Sequence, residues 1–189
     1  GKEKDWVYID WADMDKDGPL CAEQMLYAAC FRAMEEISEQ IGKDGSVYKA
    51  EYEKLTAVIE KFFWDEEKGA YIDSFTSGRR NVTRHANIFA ILFSVADEKK
   101  QEKILKNVLE NDEIPAMTTP YFNFFELDVL CRMGKLTEVL DKIRSYWGGM
   151  LDLGAVTFWE EYDPSVPKEE QYDMYGDHFG KSLCHAWAA

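Results

Sequence analysis

Two adjacent carboxylates beside a large aromatic, in Phe158-Trp159-Glu160-Glu161-Tyr162, are the residues of this chain best placed to do chemistry. The surrounding stretch, residues 154–164, carries Val156 and Thr157 and runs into Pro164. It is too β-branched and too close to a proline to read as helix. Neighbouring side chains of extended backbone point to opposite faces, so only one of Glu160 and Glu161 can enter a cleft beside a given partner. That one is a candidate general acid or base. An aromatic wall with a single inward carboxylate suits sugar chemistry, because a pyranose offers an apolar C–H face to stack and an acetal carbon that water must attack. The alternative is a surface loop with solvated charges.

Other constellations are weaker. Trp6 and Trp11 flank Tyr8 and Asp10, and alternation puts Trp6, Tyr8 and Asp10 on one face and Trp11 on the other. Such tryptophans serve either the core or a sugar-stacking platform. His85, His178 and His185 show no metal-ligand spacing, so zinc is not expected. His185 reads as opening a helix, where a neutral imidazole either donates to a substrate hydroxyl or is a satisfied structural histidine. Asp13-Met14-Asp15-Lys16-Asp17-Gly18 imitates the start of a calcium loop. The match breaks at Gln24, where a bidentate glutamate is required, so an Asp-rich turn capping the next helix is the expectation. Glu126 and Asp128 lie in an apolar helix and need partners if buried. Phosphate loops, Ser/His/Asp arrangements and nucleophilic cysteine contexts are missing from the sequence, and no cofactor or metal is implied.

The elements that must position these residues read as about seven helical stretches of alternating character. Stretches near 21–41, 84–95 and 121–133 are apolar on nearly every side; those near 52–63, 101–110 and 136–147 carry only a stripe, and a seventh begins near Lys181. A helix that is apolar all round must be covered all round, whereas a striped one faces water. Alternation of the two implies inner helices wrapped by outer ones, joined as antiparallel hairpins through Gly42-Lys43-Asp44-Gly45 and Met133-Gly134-Lys135. The expected fold is all-α, an arc of an α/α toroid with raw apolar edges through which copies are expected to pair. Residues 69–75 read as a short strand. The loops at 5–18, 69–83, 148–163 and 164–180 are where chemistry belongs.

With 189 residues the chain fits one domain, and 36 acidic against 22 basic residues give a formal charge of −14. That charge repels phosphate backbones and anionic headgroups, so neither nucleic acid nor membrane is an expected partner. Cys21, Cys30, Cys131 and Cys184 lack paired spacing and sit among apolar neighbours, which reads as small buried thiols. The sequence shows no signal-peptide core and does not set the compartment.

The stretch from Leu153 to Glu160, preceded by Trp147-Gly148-Gly149-Met150 and followed by Ser182-Leu183-Cys184-His185-Ala186-Trp187-Ala188-Ala189, resembles the C-terminal part of an α-L-rhamnosidase catalytic domain of glycoside hydrolase family 78. With Ile9-Asp10-Trp11 before the first helix, the likeness covers essentially the whole chain, residues 1–189. It implies a partial (α/α)6 barrel lacking the N-terminal helices, and Glu160 as general base with Glu161 outside the reaction. It also implies His185 and Trp11 as sugar contacts beside Trp159, and a terminal α-L-rhamnose as the carbohydrate ligand. The implied mechanism is inverting, with base and acid about 6.5–9.5 Å apart. The acid is expected upstream of Gly1, so this chain alone is expected to be nearly inert, and a further β domain is expected beyond Ala189. Alternatives are a non-catalytic carbohydrate-binding or assembly module and another α/α-toroid hydrolase, such as a glucosidase or trehalase.

Overall fold

The computed structural model describes residues 7–188, so Trp6 lies outside the described residues. These fall into two compact units, one formed by residues 7–9 with 13–116, the other by residues 10–12 with 117–188. Six α-helices occur among the described residues, together with one two-stranded hairpin and short 3-10 and π segments.

In the first unit, helix α1 (Cys21–Gln40) and helix α2 (Ser46–Phe63) form the expected hairpin. Gly42, at φ +69°, turns the chain, and the Asp44 carboxylate accepts the Ser46 amide at 2.9 Å to start α2. Strands β1 (Trp64–Asp65) and β2 (Ala70–Tyr71) pair antiparallel, which places the anticipated strand. Helix α3 (Arg84–Leu92) is buried from Arg84 through Ile91, as an inner helix must be. Helix α4 (Glu98–Ile104) is capped by Asp97 and continues as a π turn over Leu105–Leu109, burying Ile104, Val108 and Leu109. Helix α1 departs from the expectation. Its Met25 and Ala28 are buried, but Leu26, Met34 and Ile37 face solvent, so its apolar circumference is only half covered. Among the cysteines, only Cys21 is buried; Cys30, Cys131 and Cys184 are exposed, because apolar neighbours in sequence lie on other faces of the helix or turn.

The loop after β2 binds the segment before α1. Asp15 and Asp73 are both buried; Asp73 accepts the Asp15 amide, while Asp15 accepts Ser77 Oγ and lies 3.9 Å from the Arg79 guanidinium. The Asp-rich turn therefore does not cap the next helix. The N-cap of α1 is Leu20, without a side-chain bond, because the aspartates are turned toward the 73–79 loop.

At the β hairpin, Asp65 accepts the Glu67 and Lys68 amides at 3.0 Å each and the Arg80 Nε at 2.7 Å. Burial raises its carboxyl, but the Lys68 amide, the Arg80 guanidinium and the Glu67 amide outweigh that and hold it below the usual range. A folded pKa below the unfolded one contributes stability that is complete above about pH 4 and is lost as pH falls through the folded value. Asp65→Asn should thus lower Tm at pH 7, with the deficit shrinking near pH 3. An undiminished deficit in acid would contradict this assignment.

In the second unit, helix α5 (Pro120–Arg132) begins with Pro120 in its first turn and Thr119 as N-cap, whose hydroxyl accepts the Phe122 amide at 3.3 Å. Helix α6 (Leu136–Asp152) returns against it, and the buried Glu126 of α5 meets Lys142 of α6 at 2.6 Å. Asp128 meets Arg132 at 2.8 Å within α5, so both acids of this helix are partnered. The expected stripe of α6 is only partly used: Val139, Tyr146 and Met150 are buried, whereas Leu136, Leu140 and Ile143 are exposed. Where a seventh helix is expected, the chain makes one 3-10 turn, Ala186–Ala188.

Candidate active site

The site lies within the second unit, where two segments quoted from the sequence run side by side. The Glu160 amide donates to the Ser182 carbonyl at 2.8 Å, and the His185 amide donates to the Phe158 carbonyl at 2.9 Å. These two bonds hold the stretch 158–160 beside the stretch 182–185. His185 thus sits in an irregular segment, bonded through its amide to Phe158, just ahead of the 3-10 turn Ala186–Ala188.

Glu160 is buried, with 8% of its surface exposed. Its Oε1 accepts the Tyr175 hydroxyl at 2.9 Å and the Trp11 Nε1–H at 3.3 Å; its Oε2 accepts the Ser182 amide at 3.2 Å. The His185 Nδ1 stands 3.9 Å from Oε2, beyond hydrogen-bond reach. Asp10 accepts the Thr119 hydroxyl at 2.7 Å, which ties the Trp11 segment to the start of α5. Glu160, Trp11 and His185 are therefore brought together.

Glu161 faces other partners. Its Oε1 accepts the Thr118 hydroxyl at 2.9 Å, and Lys181 lies 3.8 Å from its Oε2. Lys181 is itself buried; loss of water pulls its pKa down, an effect that the negative charge of Glu161 opposes. The two adjacent carboxylates thus have separate partners.

Trp159, expected beside the sugar, is 3% exposed and belongs to a core cluster with Tyr146, Met150, Ala155 and Tyr162, its ring 5.5 Å from that of Tyr172. Its place in this cluster anchors the segment that carries Glu160. Gly149 serves the same core, since a methyl group there would collide with the Tyr162 ring.

Sequence reasoning missed Tyr175 and the Ser182 amide. The signal available was Tyr175-Gly176 inside the acidic loop, a dipeptide suited to a tight turn, but turn chemistry does not disclose a contact with Glu160. His85 and His178 lie apart from the site: His85 is buried in α3 beside the Thr83 hydroxyl at 3.3 Å, and His178 is exposed and paired with Asp173. No group of three metal-ligating side chains occurs among the described residues, and no described helix is long and apolar enough to cross a membrane.

Two comparisons give this geometry a family. The bacterial α-L-rhamnosidase six-hairpin glycosidase domain matches residues 1–189. The chain belongs to that family, and its fold is a portion of the six-hairpin α/α barrel. It is similar to a solved rhamnosidase from Klebsiella oxytoca with rhamnose bound, at 29% identity and a TM-score of 0.80, over 97% of this chain and 34% of that one. It is also similar to a glycoside hydrolase family 78 rhamnosidase of Bacillus sp. GL1, at 27% identity and a TM-score of 0.81, over 97% of this chain and 20% of that one. The chain thus spans about a third and a fifth of those two proteins. No curated protein matches it significantly.

Proposed function

We propose that this chain carries the water-activating half of an inverting glycosidase acting on terminal α-L-rhamnose, with Glu160 as general base. The observation that carries the reading is a buried carboxylate fixed at Oε1 by two side-chain donors and at Oε2 by only one backbone amide. A base must be ionised, oriented and still able to accept a proton, and this arrangement meets the last two needs with an acceptor position to spare. Trp11 and His185 flank the carboxylate and are the side chains proposed to meet the sugar; Trp159 supports them from the core. The general acid is proposed to come from sequence outside these residues, as the family resemblance implies, so this chain alone should hydrolyse aryl rhamnosides far more slowly than the intact protein.

A panel of aryl glycosides tests the reading. The intact protein containing this chain should release the aryl group from an α-L-rhamnoside in clear preference to a glucoside, and proton NMR of the nascent sugar should show the β anomer first. Preference for the glucoside, or an initial α anomer, would remove respectively the substrate class or the inverting base.

A further inference from the structure

Among the groups touching Glu160, Tyr175 stands out by its backbone. Met174 and Asp177 exchange two hydrogen bonds, at 3.1 and 3.0 Å, across a two-residue turn in which Tyr175 has φ +56° and Gly176 φ +80°. Positive φ at both central residues defines the hairpin turn that normally carries Asn, Asp or Gly. A bulky aromatic in that conformation is an outlier, and such outliers gather where the surrounding structure puts them to use. Burial does not account for it, because Tyr175 is 65% exposed. Its ring instead meets the edge of Trp11 at 5.6 Å while its hydroxyl donates to Glu160. Gly180 makes the arrangement feasible, since any Cβ there would collide with the Met174 carbonyl at the base of the turn.

We propose that Tyr175 is a positioning residue for Glu160: together with Trp11 it saturates Oε1, so that Oε2 becomes the oxygen that takes the proton from water. The proposal rests on Glu160 being the base. A carboxylate oxygen accepts two hydrogen bonds, and on Oε1 both places are filled, by Tyr175 and Trp11. On Oε2 the Ser182 amide fills one, and among the described residues the other place stays open on the side of His185, whose Nδ1 is 3.9 Å away. The two oxygens are thereby divided into an anchored one and a working one. Tyr175 stays protonated for this task, because loss of water and the adjacent Glu160 charge both raise its phenol.

The test is Tyr175→Phe in the intact protein, assayed on an aryl α-L-rhamnoside, since it keeps the ring against Trp11 and deletes only the donor. Loss of one hydrogen bond to a charged base should lower kcat about tenfold with KM held within about threefold. Tyr175→Asn, which suits the turn, should lower kcat at least as far while Tm holds or rises. On a Glu160→Gln background Tyr175→Phe should add no further loss. An unchanged kcat in Tyr175→Phe while Glu160→Gln abolishes turnover overturns the positioning role and leaves the base in place. Additive losses in the double variant, or a Tm several degrees lower in Tyr175→Asn, overturn it too by showing a separate or structural role. Turnover retained by Glu160→Gln removes the base assignment itself, and the proposal with it.

Discussion

Glu160→Gln is expected to cut kcat on an aryl α-L-rhamnoside by about 10²–10⁴-fold in the intact protein, the usual share of a general base. A thousandfold loss is about 4 kcal/mol of transition-state stabilisation, large enough to distinguish from any disturbance of packing. The substitution is nearly isosteric, and the glutamine oxygen can still accept from the Trp11 indole and the Tyr175 hydroxyl. Its amide group then faces the Ser182 N–H, a donor opposite a donor, which should cost about 1 kcal/mol of stability and a few degrees of Tm at most. Binding of free rhamnose should change only a few-fold, since water activation contributes to the transition state and not to the ground state. Glu161→Gln is the matched control. Its carboxylate is engaged by Thr118 and Lys181, so turnover should stay within a few-fold of the parent. The opposite ranking of the two variants would make Glu161 the working group.

That comparison also shows how far the sequence could be read. Opposite facing of Glu160 and Glu161 follows from backbone alternation alone, and the structure gives the two carboxylates separate partners. The same rule, applied one residue earlier, turns Trp159 away from the Glu160 carboxylate; the sequence reading placed the two on one wall, whereas Trp159 packs in the core cluster. Helices α1 to α6 were legible because a period of 3.6 is written locally in the chain. Their faces were not. Met34 and Ile37 of α1 and Leu140 and Ile143 of α6 look like core residues in sequence and lie in solvent, because burial depends on what stands opposite. The stretch from Lys181 has a helix-like composition, yet residues 182–185 pair with 158–160, and a backbone already bonded to a neighbour cannot wind into a helix. Tyr175 was illegible for a related reason: nothing in Met174-Tyr175-Gly176-Asp177 points to residue 160, and only the closed loop brings its hydroxyl there.

Asp73→Ala should be the most destabilising of the substitutions considered, lowering stability by about 4 kcal/mol and Tm by roughly 10 °C. The buried carboxylate gathers four donors: its Oδ1 accepts the Thr83 amide at 3.2 Å and the Thr83 hydroxyl at 2.7 Å, and its Oδ2 accepts the Asp15 amide at 3.2 Å and the Asn81 side-chain amide at 2.6 Å. Its backbone carbonyl also accepts the Cys21 amide at 2.8 Å, so one residue ties down the starts of α1 and α3. Alanine strands those donors, each of which then bears its desolvation cost without a partner. Asp73→Asn keeps one oxygen for Thr83 and should cost about half as much. Its pH trend should run opposite to that of Asp65→Asn. Loss of water holds the Asp73 carboxyl above the ordinary range, which its hydrogen bonds to Thr83, Asp15 and Asn81 only partly oppose. A raised folded pKa contributes stability that is complete below the unfolded value, about 4, and is lost as pH rises through the folded value. The Asp73→Asn deficit should therefore be larger at pH 4 than at pH 7, whereas that of Asp65→Asn is larger at pH 7. Thermal unfolding of both variants across this range decides the matter, and parallel trends would show that the two carboxylates do not differ in the way that their burial and partners require.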